Sequence, residues 1–430
     1  MMLSRELKAV ILESKIILIG VVAGQLLTTQ PPFPFSPGFD IQKVASLAES
    51  RPSHTWEYGA AAQALLELHN APLSVFGDAP FPVPCVEKEA VKGLAYAASK
   101  ITFGCEGANG LSNDHEAVGD AASLGVSLVM LGKKDPRYAQ AAQVTVDFLM
   151  NSAPRYPNGA ISQRVSTPEL WADFVYMAPP FLAYYAADSS NETLLRESVE
   201  QCRYYREVLQ ANTTMPYKGV WERIIGPKSQ DAGLWSTGNG WAAAGMTRVL
   251  ATVMKAPIAQ NASWKLDAIQ DLTFWIMEIL NGAMASSPDR GLLRNFLNDT
   301  DLKGHGFGEI SGSSLLASVV YRMAVLQPQA CGDKYVRWAD GIRGVLAGND
   351  ENGQPHITKE GVATPAVNPA GWLDTEPFVN GSPEGQAFVV LMYAAWRDCV
   401  LDGHCSSHSP GVSRRVDRRR RRDLDDHRWR

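Results

Sequence analysis

The chain has 430 residues, of which 45% are hydrophobic and 20% charged, so it can bury a large core and does not have the composition of a disordered protein. Its formal net charge of -5 provides no overall positive field for nucleic acid. The strongly basic run at 414–430 follows a polar segment, and we interpret 404–430 as a disordered Arg-rich tail. The alternatives are an RNA-binding arm or an artefact of the gene model.

An apolar run at 16–24 has the length of a secretory signal and is too short for a membrane span, so residues 1–30 are predicted to be a signal or an N-terminal apolar segment. Glu6 and Glu13 favour instead a cytoplasmic protein with a buried first helix, or a start codon placed too early. Six cysteines permit up to three disulfides, and their spacing predicts no metal site. Five Asn-x-Ser/Thr sequons favour a secreted glycoprotein, at Asn191, Asn212, Asn261, Asn298 and Asn380.

Apolar residues recur at intervals of three and four, which is the spacing of helices, and no segment alternates convincingly as a strand does. Eleven helices are predicted, near 56–70, 85–102, 114–131, 136–151, 168–187, 191–211, 239–255, 262–281, 309–327, 331–347 and 383–402. Several form pairs joined by short turns, while the connections between pairs are longer. This pattern predicts an all-α domain over residues 40–403, built as a closed ring of paired helices.

One carboxylate, Asp173, lies in an otherwise apolar segment at 169–182. The segment is predicted to be a helix that Thr167 caps and Pro168 starts, and that the Pro pair at 179–180 kinks or ends. A carboxylate in such surroundings is hydrogen-bonded, paired, or partly neutral with a raised pKa, and the last condition suits a general acid. On residue type alone, an Asp that caps or pairs with a neighbouring helix is the alternative.

Three tryptophans, Trp221, Trp235 and Trp241, lie in the Gly-rich segments 219–223 and 231–241. Indole faces beside polar groups bind sugar rings, which are apolar on their faces and polar at their edges. Tryptophans that serve only the core are the alternative.

Other loop residues carry weaker signals. His305 lies between glycines, a setting more typical of a surface loop than of a catalytic group. The glycines around it do not indicate a nucleotide site, because no strand precedes them. Glu376 and Glu384 are further carboxylates that could serve an alternative mechanism.

Five motifs, in order over about residues 50–402, resemble glycoside hydrolase family 105, the unsaturated rhamnogalacturonyl hydrolases, and the related family 88, in a member of fungal type. They are Asp-His-Glu-Ala-Val-Gly at 114–119, Ala-Pro-Arg-Tyr-Pro-Asn-Gly at 153–159, Leu-Trp-Ala-Asp-Phe-Val-Tyr-Met at 170–177, Gly-Asn-Gly-Trp at 238–241 and Gly-Ser-Pro-Glu-Gly-Gln-Ala-Phe at 381–388. The resemblance implies an (α/α)6 barrel of six helical hairpins. A twelfth helix is then expected near 41–50, unless the last one has been lost to the Arg-rich tail.

The resemblance also implies an activity: removal of a 4,5-unsaturated uronic acid from the non-reducing end of lyase-generated oligosaccharides of pectin or rhamnogalacturonan type. Enzymes of this kind hydrate the double bond, and the resulting hemiketal opens and releases the neighbouring sugar. One carboxyl group can give a proton to C4 and then accept one from the water that attacks C5. By resemblance Asp173 is that group, Asp114 is a second carboxylate that raises its pKa, and no metal or organic cofactor is needed.

For the substrate site, the resemblance implies that Trp171 and Trp241 stack on the sugars, and we predict Trp235 and His305 as further substrate-binding residues. Two positions depart from the family: Arg223 stands where a His is common, and Thr237 where an Arg precedes Gly-Asn-Gly-Trp. We expect Arg223 to take over the uronate carboxylate. An oligosaccharide is the expected partner, without nucleic acid or membrane, and the oligomeric state is not predicted.

Two alternatives stay open at this point. One is an inverting glycosidase on saturated substrates, in which Asp173 forms a pair with Asp114 or Glu384. The other is a non-catalytic carbohydrate-binding barrel in which Asp173 only positions sugar hydroxyls.

Overall fold

The computed structural model describes residues 19–22, 25–28, 32–78, 80–103, 111, 116–211, 217–301, 304–371 and 374–407. Most of the predicted signal segment, the basic run at 414–430 and Asp114 lie outside these residues. Within the described part of the chain, no helix is both long and apolar enough to cross a membrane.

The described residues form thirteen α-helices and two small antiparallel sheets of two strands each, which confirms the predicted all-α class. The helices are α1 Ile41–Ser50, α2 Thr55–His69, α3 Lys92–Lys100, α4 Gly119–Ala122, α5 Gly125–Gly132, α6 Pro136–Asn151, α7 Phe174–Ser189, α8 Glu192–Leu209, α9 Ser236–Lys255, α10 Lys265–Ala285, α11 Ile310–Leu326, α12 Asp333–Leu346 and α13 Pro383–Leu401. The paired strands are β1 Ile19–Val22 with β2 Gln25–Thr28, and β3 Leu170–Trp171 with β4 Ile224–Ile225. Short 3-10 helices lie at Ala71–Leu73, Lys88–Ala90, Pro257–Ala259 and Pro369–Gly371.

Six inner helical positions form a closed ring: α2, α4 with α5, α7, α9, α11 and α13, and α13 packs back on α2. Each inner position is covered by one outer helix, namely α3, α6, α8, α10, α12 and α1 in the same order. The helix expected near 41–50 is therefore α1, which packs on α13 from the other end of the chain. The architecture is the predicted (α/α)6 barrel.

Burial distinguishes the inner from the outer helices. Inner helix α9 is buried on all sides from Ser236 to Val253, and α2 is buried without a break from Gly59 to Leu68. Outer helix α8 buries one face and leaves the other to solvent, as an amphipathic helix does. The core therefore fills the ring and the space between its two layers.

Helix α7 begins later than predicted. Residues 170–171 form strand β3, and the first helical residue is Phe174, so Asp173 occupies the N-cap position and Thr167 and Pro168 do not start the helix. The prediction was wrong because β3 pairs with β4, more than fifty residues away, and local propensity does not show such a partner.

The Pro pair at 179–180 does not end α7, which continues to Ser189. Proline has no N–H, so Pro180 leaves the carbonyl of Tyr176 without its helical donor. The guanidinium of Arg248, on α9, donates from Nη1 to this carbonyl at 3.2 Å and from Nη2 to Gln63 Oε1 at 3.1 Å. A side chain from the next inner helix thus supplies the missing donor.

Among the described cysteines, Cys399 and Cys405 form a disulfide that joins the end of α13 to the segment after it. Cys85, Cys202 and Cys331 are unpaired. Cys105 lies outside the described residues.

Candidate active site

A cavity of about 290 Å³ lies where the inner helices begin. This volume is at the lower end of the range for small-molecule sites. The first turns of α2, α4, α7 and α13 all reach the cavity, so the partial positive charge of several helix N-termini converges on it. Its lining consists of Trp56, Glu116, Ala117, Asp120, Gln163, Arg164, Trp171, Asp173, Met177, Arg223, Trp235, Ala370 and Glu384.

The sheet of β3 and β4 brings Asp173 beside Arg223. The N–H of Ala172 donates to the carbonyl of Arg223 at 3.0 Å, extending the pairing of the two strands. The Arg223 side chain is 3% exposed, stacks on Trp235 at 4.2 Å from the ring centroid, and forms an ion pair with Asp231 at 3.6 Å. A buried cation therefore lies next to the predicted proton donor.

Asp173 retains some exposed area, but its Oδ1 is inaccessible and has no hydrogen-bond partner among the described residues. Burial raises the pKa of Asp173 to about 6; Arg223 and the backbone of Asp173 itself oppose this increase, and Asp231 adds to it. A carboxyl group with such a pKa is protonated in mild acid and ionised in mild base, as an acid/base catalyst requires.

The Gly-Asn-Gly-Trp motif supports the site from behind. A Cβ at Gly238 would lie 3.0 Å from a ring carbon of Trp235 and 3.7 Å from Asp173 Oδ1, so glycine allows α9 to approach both. Asn239 accepts from the N–H of Trp221 at 2.8 Å and donates to its carbonyl at 3.0 Å. This clamp fixes the backbone two residues before Arg223.

Trp241 is in the core and does not line the cavity, contrary to the prediction that it stacks on sugar. It is 1% exposed, and the rings of Tyr176 and Phe388 meet it edge-on at centroid distances of 4.6 and 4.7 Å. The prediction failed because Trp241 lies one helical turn into α9, where that helix is buried on all sides.

Trp171 lies at the cavity with its ring held in place. Its indole N–H donates to Glu169 Oε2 at 3.1 Å, and the guanidinium of Arg164 lies 4.9 Å from the ring centroid while also donating to Glu169. Burial would raise the pKa of Glu169, but the indole, the N–H groups of Ser229 and Lys228, and Arg164 together lower it. An ionised, buried Glu169 therefore fixes the predicted sugar platform.

The cavity contains two buried carboxyl groups besides Asp173. Asp120, on α4, accepts from Gln163 Nε2 at 2.8 Å. Glu384, on α13, accepts on Oε1 from the indole N–H of Trp56 at 2.9 Å and is 2% exposed. Asp114, the predicted second carboxylate, lies outside the described residues.

Neither His305 nor Thr237 is among the described residues that line the cavity. The ring of His305 packs on Phe296 at 4.8 Å, and its Nδ1 lies 3.2 Å from the carbonyl of Asp374. Thr237 donates to Glu309 Oε1 at 3.2 Å. Within the described ranges, no group of three His, Cys, Asp or Glu side chains is placed to hold a metal ion.

The structure thus brings together four of the predicted residues, Asp173, Trp171, Arg223 and Trp235. Sequence reasoning missed Trp56, Asp120, Gln163 and Arg164, and it gave Glu384 only a reserve role. Asp120 directly follows the 114–119 motif, and Gln163 and Arg164 lie shortly before Asp173, so proximity to motifs was the available signal. Trp56 had no signal of this kind.

Comparison with known proteins gives the family. Residues 98–396 match the model of Glycosyl Hydrolase Family 88, which is well over half of the chain. No curated protein sequence matches the chain.

Solved structures share the fold at low identity. A possible member of family 105 from Salmonella enterica subsp. enterica serovar Paratyphi A aligns with 89% of this chain and 100% of its own, at 15% identity and a TM-score of 0.63. A family 105 glycoside hydrolase from C. acetobutylicum aligns with 83% of this chain and 99% of its own, at 15% identity and a TM-score of 0.61. A family 88 glycosyl hydrolase from Bacteroides vulgatus aligns with 84% of this chain and 97% of its own, at 16% identity and a TM-score of 0.59. Together with the family match, these findings show that the chain belongs to glycosyl hydrolase family 88 and is a glycoside hydrolase that acts on unsaturated uronides.

Proposed function

We propose that the enzyme removes a 4,5-unsaturated uronic acid from the non-reducing end of lyase-generated oligosaccharides of pectin or rhamnogalacturonan type, by hydrating the double bond. The observation that supports this most directly is Asp173, a carboxyl group with a pKa of about 6 at the wall of a small cavity. One such group suffices for the hydration.

In this reaction the protonated Asp173 transfers its proton to C4 of the sugar. Positive charge develops at C5 and the ring oxygen, water attacks C5, and the ionised Asp173 accepts the proton that this water loses. The product is a hemiketal, and the carboxyl group is returned to its initial state. Arg223 stabilises the carboxylate between the two transfers, because its guanidinium is buried beside it.

Two features support a single anionic sugar as the group bound in the cavity. The helix N-termini around it favour negative charge. The volume of about 290 Å³ suits one terminal residue better than an internal stretch of polysaccharide.

One observation favours the inverting glycosidase as a second candidate. Asp173 and Glu384 are carried by α7 and α13, which lie three positions apart in the ring of six and so on opposite sides of the cavity. An acid and a base on opposite sides of a sugar are what inversion requires.

Incubation with unsaturated oligosaccharides from rhamnogalacturonan, glucuronan or ulvan distinguishes the two candidates. We expect loss of the ultraviolet absorbance of the conjugated double bond and release of the neighbouring sugar, with saturated oligosaccharides of the same linkage left intact. Asp173→Asn should abolish the absorbance change. Cleavage of the saturated substrates at a similar rate, or no reaction with any unsaturated one, would contradict the proposal.

We further propose that the enzyme is secreted and glycosylated, with a catalytic domain over residues 40–403. The disulfide Cys399–Cys405 supports an oxidising compartment. The sequon asparagines Asn191, Asn261, Asn298 and Asn380 are exposed, and Asn212 lies outside the described residues. A fall in apparent mass after treatment with an endoglycosidase, on protein from the native host, would support this; recovery from the cytoplasm without glycan would contradict it.

A further inference from the structure

The proposed reaction uses neither of the two other buried carboxyl groups in the cavity, and of these Glu384 is the one with an oxygen that has no hydrogen-bond partner among the described residues. It lies in the first turn of α13, after the N-cap Ser382, and faces the cavity from the side opposite Asp173. A residue two positions from such a cap is normally solvated and ionised at a helix N-terminus. Here it is 2% exposed.

Its two oxygens have different surroundings. Oε1 accepts the hydrogen bond from Trp56, whereas Oε2 is inaccessible and has no hydrogen-bond partner within the described part of the chain. No cation among the described residues lies within ion-pair distance of the group. An ionised carboxylate in this position would therefore be a buried charge with one neutral donor, which is costly.

The charged groups around Glu384 do not favour its ionisation. Asp173 at the N-cap of α7 and Glu57 on α2 are acidic, and Arg223, the cation among the described residues that opposes them, is already paired with Asp231. The other charged groups that line the cavity are Asp120, Glu116 and Arg164, and Arg164 is paired with Glu169. Burial, Asp173 and Glu57 raise the pKa of Glu384 well above its usual range, and Trp56 and Arg223 oppose this only in part.

We propose that Glu384 is a neutral carboxylic acid, and that a small shift of its side chain on binding exposes Oε2, which then donates a hydrogen bond to the carboxylate of the sugar bound opposite Asp173. A carboxylic acid kept neutral by its surroundings is a strong donor, and an O–H donor facing an anionic oxygen makes one of the stronger hydrogen bonds in proteins. An ionised Glu384 would instead repel an anionic sugar. The assignment rests on the proposed function, because it takes the terminal sugar to be a uronic acid.

The assignment gives Glu384 the role that Arg223 was expected to have. Arg223 is held between Asp231 and the ring of Trp235. Thr237, which stands where the resemblance leads us to expect an Arg, provides only a hydroxyl group, and this is bound to Glu309. Trp56 then has a defined task, since its indole fixes Oε1 and leaves Oε2 as the oxygen that carries the proton.

A matched pair of variants tests this role. Glu384→Gln keeps a neutral donor and an oxygen for Trp56, so we expect its KM for unsaturated oligosaccharides to lie within about 3-fold of wild type. In the wild type, ionisation of Glu384 should increase KM at high pH, and this increase should disappear in Glu384→Gln. Glu384→Leu lacks the donor, so KM should rise by about 10- to 100-fold, the range for a hydrogen bond to a charged group, with a smaller change in kcat. Loss of kcat in Glu384→Gln by about 100-fold or more would show proton transfer by Glu384 and overturn the proposal. Equal KM in all three proteins would overturn it as well.

Two measurements without turnover separate this inference from the proposed function. The infrared carbonyl band of protonated carboxylic acids should be present in the wild type near neutral pH and weaker by one carboxylic acid in Glu384→Gln; an unchanged band overturns the inference whatever the substrate. Galacturonic acid should bind to the wild type and to Glu384→Gln more tightly than to Glu384→Leu in titration calorimetry, and equal affinities overturn the inference. If the wild type passed both measurements but hydrated no unsaturated oligosaccharide, the proposed function alone would have failed.

Discussion

The raised pKa of Asp173 suits catalysis, but it lowers the stability of the folded protein. Its pKa of about 6 in the folded chain lies above the ordinary value of 3.8, so the folded state binds the proton more tightly than the unfolded state. The folded protein therefore loses stability as pH rises through this interval, and the loss is complete above the folded pKa. Its upper limit is about 3 kcal/mol, at about 1.4 kcal/mol for each pH unit.

Asp173→Asn should remove this cost together with the activity. At about pH 7.5 we expect the free energy of unfolding to rise by up to ~3 kcal/mol, with little change near pH 3, below both pKa values, where Asp173 is mostly protonated in both states. Urea denaturation at the two pH values measures the difference. Asp333→Asn, at a side chain that is 95% exposed, is the control and should show no such dependence. Equal effects of Asp173→Asn at both pH values would contradict the assigned pKa.

Arg223 should govern the pH range of the enzyme more than its affinity for substrate. Because the guanidinium favours the ionised form of Asp173, Arg223→Gln should raise the pKa of Asp173 and shift the alkaline limb of kcat/KM to higher pH, while the maximal rate falls. Arg223→Lys keeps the charge and should shift the limb less. A rise in KM of about tenfold with an unmoved limb would instead mean that Arg223 binds the uronate carboxylate.

The helices themselves could be predicted because each carries its own signal, whereas the short sheet could not. The eleven segments predicted from apolar spacing account for twelve of the thirteen helices, since α4 and α5 were predicted as one, and most ends agree to within a few residues, although α3 begins at Lys92 and not near 85. Strand β3 is two residues long and exists because β4 lies beside it. For the same reason sequence reasoning placed Asp173 inside a helix, when it is the residue that joins β3 to α7.

Helix α7 accepts its proline pair through a contact with α9, and this coupling can be measured. Arg248→Met should destabilise the protein by about 2–4 kcal/mol, because it leaves the carbonyl of Tyr176 and the side chain of Gln63 without their donor. Pro180→Ala restores an N–H that can bond to the same carbonyl. In that background Arg248→Met should therefore cost less, and a double-mutant cycle on urea denaturation gives the difference. Additive effects would show that Arg248 does not substitute for the missing N–H.

The ring as a whole decides which residues meet at the site, and this is what the sequence could not show. Trp56 and Glu384 are more than three hundred positions apart, yet they share a hydrogen bond because α13 packs back on α2. Trp241 belongs to a correctly recognised motif but points into the core, since the motif shapes the wall of the site from behind. Motifs thus identified the neighbourhood of the site, and the direction of each side chain depended on the closed barrel.

Where the ring closes, Arg397 joins the last inner helix to the first. From α13 it donates to the carbonyls of Glu67 and Leu68 in the last turn of α2, at 2.7 and 2.5 Å, and its side chain is 3% exposed. These carbonyls lie at a helix end, where intrahelical donors run out.

Arg397→Met should lower the free energy of unfolding by about 3 kcal/mol, because two buried carbonyls lose a charged donor. It should also increase amide hydrogen exchange in α2 and α13 more than in α7 and α9, on the far side of the ring. Arg337→Met, at an exposed position of α12, is the control and should change neither quantity. A uniform increase in exchange over all inner helices would mean that the contact between α2 and α13 does not open separately, and that the barrel unfolds as one unit.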